Sequence, residues 1–453
     1  MAELVWKGKS VRGARGKAKP PARSVSTDEL YGDVPADAWR NRLVLGDNAH
    51  VLPSLLGELA GKVSLVYIDP PFDTGGDFHF QAAIPGARDG APRVKLRAYR
   101  DDRGLDEWLQ RFHGTARLIH ALLAGGGSLY VHLDAHVSHY AKVVLDEVFG
   151  AAAFQREIIW RIGWVSGFKS RANNWIRNHD VILFYAKGGA RRASFHKEYL
   201  PYPPEYVRRD GAAPRGPGYP LDDVWNGSEL DRLDSIQIMS FSREKVGFPT
   251  QKNEKLVARI VRASSSPGDI VLDCFVGSGT AAVVAEALGR RWIACDLSPI
   301  AIHATRKRLL RVPDVKPFAV QRLGPLQRPS GSKMSSRVDV DGPVATIEIE
   351  SFAMAARSAP AKTRATVTHW SQWIEGWCVD WDYRADVLRV GSRAWRSRGH
   401  GGLALTATHA YDRPGRYVAL VKVFDVLGGT LTKELRVDVR SSDRSTGTSR
   451  PSS

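Results

Sequence analysis

Val66-Tyr67-Ile68-Asp69-Pro70-Pro71-Phe72 joins an apolar run to an acid, two prolines and an aromatic ring. Its apolar, β-branched run has the length of a buried strand, and two consecutive prolines forbid the strand to continue. Asp69 and Phe72 are therefore presented at a strand's C-terminal end, where open α/β sheets hold their ligands. Upstream, Arg42-Leu43-Val44-Leu45 reads as another strand running into Gly46-Asp47-Asn48. Val51, Leu52, Leu55, Leu56 and Leu59 then recur at helical spacing. A strand, helix, strand unit predicts that the two strands are parallel neighbours, which puts Asp47 and Asp69 at one sheet edge.

The same alternation continues downstream. The patterns predict a helix over 105–123, a strand over 128–133, a helix over 139–149, and strands over 154–160 and 181–185. It resumes with a helix over 251–264 and a strand over 269–274. That strand feeds Phe275-Val276-Gly277-Ser278-Gly279-Thr280, followed by an Ala- and Val-rich helix to Leu288. A strand over 292–295 ends at Asp296, and a helix follows over 299–310. Asp273 and Asp296 are thus one strand-to-strand repeat apart. The fold class is α/β, with a doubly wound, mostly parallel, Rossmann-like sheet.

The chain of 453 residues has room for two or three domains. Its 65 Lys and Arg against 48 Asp and Glu leave a net charge of +17, which points to a polyanionic partner, nucleic acid first. Residues 1–38 read as a disordered basic tail, 39–320 as the α/β domain, 321–340 as a Pro-, Gly- and Ser-rich linker, 341–441 as an all-β sandwich, and 442–453 as a disordered tail. Within 160–245 the periodicity weakens and basic residues interleave with aromatics. Arg161, Lys169, Arg171 and Arg177 there are candidates for DNA contact, the charges meeting phosphates and the rings stacking on bases. An ordinary surface insertion explains that segment about equally well when it is taken alone. Cys274, Cys295 and Cys378 show no CxxC pairing, so neither a disulfide framework nor a zinc cluster is expected, and they suit a reduced cytoplasm. No metal site is expected. No apolar run is long enough to span a membrane.

Gly277-x-Gly279-x-x-Ala282, with an acid roughly 20 residues later, fits the dinucleotide-binding fingerprint, so a nicotinamide-dependent enzyme is a genuine rival reading. That rival gives no role to Asp69-Pro70-Pro71-Phe72, to Asp47, or to the basic aromatic insertion. Taken together, these segments resemble the amino-group DNA methyltransferases in which a DPPY-type motif precedes the glycine loop. Asp69-Pro70-Pro71-Phe72-Asp73-Thr74-Gly75 resembles the catalytic motif and its following turn, with Phe72 where Tyr is usual. The loop with Phe275, Gly277, Ser278, Gly279 and Thr280, following Asp273, resembles the cofactor loop. Asp296 resembles the ribose-binding acid, and Asp47 the acid that meets the cofactor adenine. Phe248-Pro249-Thr250-Gln251-Lys252 resembles the segment over the cofactor's methionine end, with Asn253 where proline is common.

The resemblance spans roughly residues 41–310. It implies S-adenosylmethionine as cofactor, duplex DNA as substrate and 160–245 as the target-recognition region, and it admits a cognate restriction endonuclease and a homodimer as partners. It also implies direct transfer to an exocyclic amine, with the Asp69 carboxylate and Pro70 carbonyl accepting its N–H groups, Pro71 stiffening the backbone and Phe72 stacking on a flipped base. Asp rather than Ser in the first motif position favours adenine over the cytosine amino group. A cofactor-dead DNA-binding module is the remaining alternative. No cysteine follows a proline, as transfer to a cytosine ring carbon would require, and His79, His113 and His132 read as structural. Trp377-Cys378-Val379-Asp380-Trp381-Asp382 and the stretch from His409 to Asp425 resemble polycystic-kidney-disease-type β-sandwiches. An interaction or DNA-contact role and a stabilising role are equally open for that domain.

Overall fold

The computed structural model describes residues 3–9, 24–35, 38–72, 76–82, 84–85, 94–101, 104–162, 171, 173–203, 205–226, 244–325, 331–355, 361–396 and 402–440. Contacts divide the chain into two compact units. The first comprises Met1–Asp28, Asp37–Phe80 and Leu96–Leu326, and the second Glu29–Ala36, Gln81–Lys95 and Gln327–Ser453.

The elements run β1 (Val25–Tyr31), β2 (Asn41–Leu45), α1 (Asn48–Leu59), β3 (Val63–Ile68), β4 (Gly76–Ala82), β5 (Val94–Asp101), α2 (Leu105–Leu122), β6 (Leu123–Leu133) and α3 (Ser138–Phe149). They continue with β7 (Phe154–Arg161), β8 (His179–Ala186), β9 (Tyr199–Leu200), β10 (Tyr219–Pro220), β11 (Val224–Trp225), α4 (Glu254–Ser264), β12 (Ile270–Asp273), α5 (Thr280–Ala287), β13 (Arg291–Asp296), α6 (Pro299–Leu309) and β14 (Phe318–Leu323). In the first unit the strands lie in the order β11-β7-β8-β6-β3-β12-β13-β2-β14-β1. From β6 to β14 every neighbouring pair is parallel, whereas β8 is antiparallel to both β6 and β7.

The central strands are almost wholly apolar because both faces are covered. Val66, Ile68, Leu129, Val131, Leu272 and Ile293 turn to one face and share a core with Leu52, Leu55, Phe112, Ile119, Val144 and Leu145 of α1 to α3. On α4, Leu256, Val257, Ile260 and Val261 are all buried, and this helix packs on β3 and β6. Asn253 begins α4 well despite standing where proline is common. Its side chain accepts from Lys255 N–H at 2.7 Å, a good N-cap.

One expectation about the sheet is corrected. The strands β2 and β3 are parallel but not neighbours, because β12 and β13 lie between them. Those two strands are buried over Ile270–Leu272 and Trp292–Cys295 and pair on both edges, and the crossover through α1 leaves a gap two strands wide for them.

The N-terminal stretch also differs from a structureless tail. Trp6 is buried in the core, its indole N–H donates to Gln110 at 3.0 Å, and Lys9 pairs with Glu147 at 2.7 Å. Residues 25–31 form a strand, and its Asp28 pairs with Arg322. In the second unit Glu29 meets the buried ammonium of Lys422 at 2.8 Å, and Asp33 meets Arg389.

The second unit is otherwise antiparallel. Its strands are β15 (Lys333–Asp341), β16 (Val344–Ala353), β17 (Ile374–Asp380), β18 (Val387–Leu388), β19 (Ser392–Trp395), β20 (Thr406–Ala410), β21 (Gly415–Asp425) and β22 (Thr430–Val439), with a short helix α7 (Ala361–Arg364). Two sheets result, β15-β16-β20 and β19-β17-β21-β22. Buried Ile347, Ile349, Trp377, Val379, Val421 and Val423 supply their apolar faces. The segment read as a linker, 321–340, thus carries the end of β14 and most of β15, while 442–453 lies outside the described residues.

Candidate functional site

Parallel strands bring their C-terminal ends to one edge, and in sheet order β3, β12, β13 and β2 deliver Asp69, Asp273, Asp296 and Asp47 there. All four acids line a cavity of about 430 Å³ in the first unit, a size suited to a small-molecule ligand. Pro70, Pro71, Thr250, Lys252, Phe275, Gly277, Ser278 and Thr280 line it as well. Gly279, Gln251 and Phe72 are absent from the lining.

Gly279 shapes the loop instead. Its φ of +85° is left-handed, and a Cβ there would lie 2.9 Å from the Thr305 backbone. The loop is braced from behind by buried Arg308, which donates to Ser278 O at 2.9 Å and to Thr280 Oγ1 at 3.0 Å. Gln251 ties its own segment together, accepting from Val246 N–H at 2.9 Å and donating to Glu244 O at 2.8 Å. The half-buried ring of Phe72 packs against the core, with Lys252 Nζ 5.5 Å from its centroid. Asp73, Thr74 and Gly75 lie outside the described residues.

The four acids have different electrostatic surroundings. Burial pushes Asp273 up to about 8, with Asp69 and Asp296 adding to the rise and Phe275 N–H opposing it. Burial pushes Asp296 up to about 6 although Ser298 N–H (2.8 Å) and Gly277 N–H (2.9 Å) both donate to it. For Asp47 burial acts the same way, but Arg111 at 2.8 Å and the Ala49 N–H outweigh it and hold the carboxyl below its usual range. Asp69 is ion-paired through Oδ2 to Lys252, while its Oδ1 is buried with no hydrogen-bond partner among the described residues. Trp108 Nε1 donates to Pro71 O at 2.6 Å, which anchors the turn after the strand.

Several of these neighbours escaped the sequence reading. Trp108, Arg111, Phe112 and Thr115 line the cavity from α2, and their spacing of three and four along the helix is the signal that marks one face. His132 is buried as expected of a structural histidine, yet it joins Tyr67 Oη (3.2 Å) of the cavity wall to Asp180 Oδ2 (3.2 Å). Burial would raise Asp180, but His132, Lys252 and Arg177 together hold it well below the carboxylate range. Cys274 and Cys295 are fully buried, and burial pushes both thiols up, so neither offers a thiolate.

The candidates for DNA contact fare unevenly. Arg161 and Arg171 are exposed, and Lys169 lies outside the described residues. Arg177 donates to Asp134 at 3.1 Å and also binds Asp180, so its charge is engaged by two carboxylates of its own chain. Trp175 nearby is 96% exposed. Among the described residues no helix is long and apolar enough to cross a membrane.

Residues 63–307, more than half of the chain, match the DNA methylase family of N6 and N4 enzymes. The chain is 28% identical over 334 residues to the type II methyltransferase M.EcaI of Enterobacter cloacae, covering 59% of this chain and 69% of that protein. It is 29% identical over 266 residues to the DNA adenine methyltransferase YhdJ of Escherichia coli, covering 55% and 77%. Among solved structures, the cytosine-N4-specific PvuII DNA methyltransferase aligns with a TM-score of 0.39 at 18% identity, covering 64% of this chain and 90% of that one.

Proposed function

The chain belongs to the N6/N4 DNA methylase family, and we propose that it methylates the exocyclic amine of adenine in duplex DNA with S-adenosylmethionine as methyl donor. The observation that carries this reading is Asp69, a strand-end acid in the cavity wall with one buried oxygen lacking a donor among the described residues. A buried acceptor left without a partner costs about 1–3 kcal/mol, and an incoming N–H relieves it.

The amine of a nucleobase is a weak nucleophile because its lone pair is delocalised into the ring. In this reading Asp69 and the Pro70 carbonyl each accept one N–H, which localises the lone pair and stabilises positive charge developing on nitrogen. Phe72 keeps the aromatic face of the motif for stacking on a base turned out of the duplex. The cavity suits the donor in chemistry as well as size. Gly277 allows close backbone approach, Asp296 offers a carboxylate for ribose hydroxyls, and Asp47 one for the adenine end. Bound there, S-adenosylmethionine supplies an electrophilic methyl group.

The motif order, with the Asp69 motif ahead of the glycine loop, belongs to the same proposal, as does the 160–245 segment as target-recognition region with Arg161, Lys169 and Arg171 toward phosphates. The antiparallel second unit is read as a polycystic-kidney-disease-type sandwich. Adenine is favoured by the acid in the first motif position. Incubating unmethylated genomic DNA with the protein and labelled donor, followed by nucleoside analysis, is expected to give labelled N6-methyladenine. Label in N4-methylcytosine overturns the choice of base.

A further inference from the structure

The cation on Asp69 has no role in the mechanism above. Lys252 Nζ binds Asp69 Oδ2, and the two side chains are only 11% and 18% exposed, so this is a largely desolvated, charge-assisted bond. Its effect on the carboxylate is directional. One oxygen is taken by the ammonium, and the other, Oδ1, is left buried without a donor among the described residues.

The lysine is itself held from several sides. Its carbonyl accepts from Thr280 Oγ1 at 3.1 Å, and the next residue, Asn253, caps α4. The preceding residue, Gln251, is bonded to Val246 and Glu244. The ammonium therefore reaches Asp69 from a backbone fixed by the glycine loop's own helix and by α4. Asp273 and Asp180 also act electrostatically on this cation, and the Phe72 ring lies within cation–π range of it.

We propose that Lys252 is a positioning residue for methyl transfer, holding Asp69 Oδ2 so that Oδ1 is left to accept an N–H of the target amine. The inference rests on the amino-methyltransferase reading of the site. A cation beside Asp69 reduces the field available to the positive charge developing on the amine. Without the cation, however, Asp69 loses the contact that fixes its rotamer. Misplacement of a catalytic group by about 1 Å costs on the order of 100-fold in rate, so the orientation outweighs the lost field. The rival role is contact with the donor's carboxylate, which the resemblance of the Phe248–Lys252 segment implies.

The full-length protein and its Lys252→Gln and Lys252→Arg variants separate the two. S-adenosylmethionine affinity is measured by titration, and single-turnover transfer to unmethylated genomic DNA is measured at saturating donor. Lys252→Gln is expected to bind the donor within about threefold of the parent and to transfer on the order of 10- to 100-fold more slowly, with Lys252→Arg recovering part of the rate. Donor affinity weakened more than about tenfold with an unchanged saturating rate makes Lys252 a donor ligand and overturns the proposal. An equal or faster rate in Lys252→Gln overturns it too. A parent protein that transfers no methyl to DNA removes the underlying reading, and this inference with it.

Discussion

The outer and inner acids of the sheet edge share a strand-end position but differ in what surrounds them. Asp69 and Asp47, on the outside, each meet a cation, Lys252 and Arg111. Asp273 and Asp296, between them, receive only backbone N–H donors among the described residues, and burial lifts them to about 8 and about 6. Arg111 of α2 comes to Asp47 and Lys252 of the segment entering α4 to Asp69. The bonds to Asp273 and Asp296 come from N–H groups of the turns that leave β12 and β13. Position on a sheet edge therefore sets where an acid stands, and the elements packed beside it set its charge.

Removing an outer acid has the largest expected effect. Asp69→Ala is expected to lower transfer at least about 1,000-fold while changing donor affinity no more than about threefold. Residual turnover within tenfold of the parent sinks the role given to that carboxylate. The inner pair is tested through the loop that serves it. Gly279→Ala forces a left-handed residue and a Cβ against Thr305, so a loss of about 1–3 kcal/mol in denaturant melts is expected. An unchanged midpoint means the loop relaxes at no cost.

The smallest effect comes from the raised inner acid. Because Asp273 binds its proton more tightly folded than unfolded, its contribution to stability is fully present below the ordinary carboxylate range. That contribution is lost as pH rises toward about 8. Asp273→Asn removes this loss, so the variant is expected to melt about 3 °C above the parent at pH 8, with the gain shrinking toward pH 5. A gain independent of pH contradicts the electrostatic division between inner and outer acids.

Much of the site was legible because its signals are local. Two prolines after an apolar run, glycines after another, and acids at the ends of both need no knowledge of distant contacts. Arg111 and Trp108 were harder, since an amphipathic helix announces a buried face without saying what lies above it. The ion pairs of Arg177 were not legible, because Asp134, just past β6, and Asp180 of β8 come to it from distant sequence or across a turn. The strand at residues 25–31 was hidden by the basic run before it, and the ion pairs made there and just after it, by Glu29 with Lys422 and by Asp33 with Arg389, the latter 356 residues apart, are with cations far along the chain.

By itself the sequence determined the kinds of element, their alternation, and the placing of Asp69, Asp273, Asp296 and Asp47 at strand ends, because periodicity and chain-breaking residues act over a few positions. Tertiary structure alone decided that β12 and β13 separate β2 from β3, and so which acids are inner and which are outer. It also decided that Lys252, 183 residues from Asp69, takes one oxygen of that carboxylate and leaves the other without a partner among the described residues. Strand order and the pairing of distant charges depend on which surfaces bury one another, and no short stretch of chain carries that information.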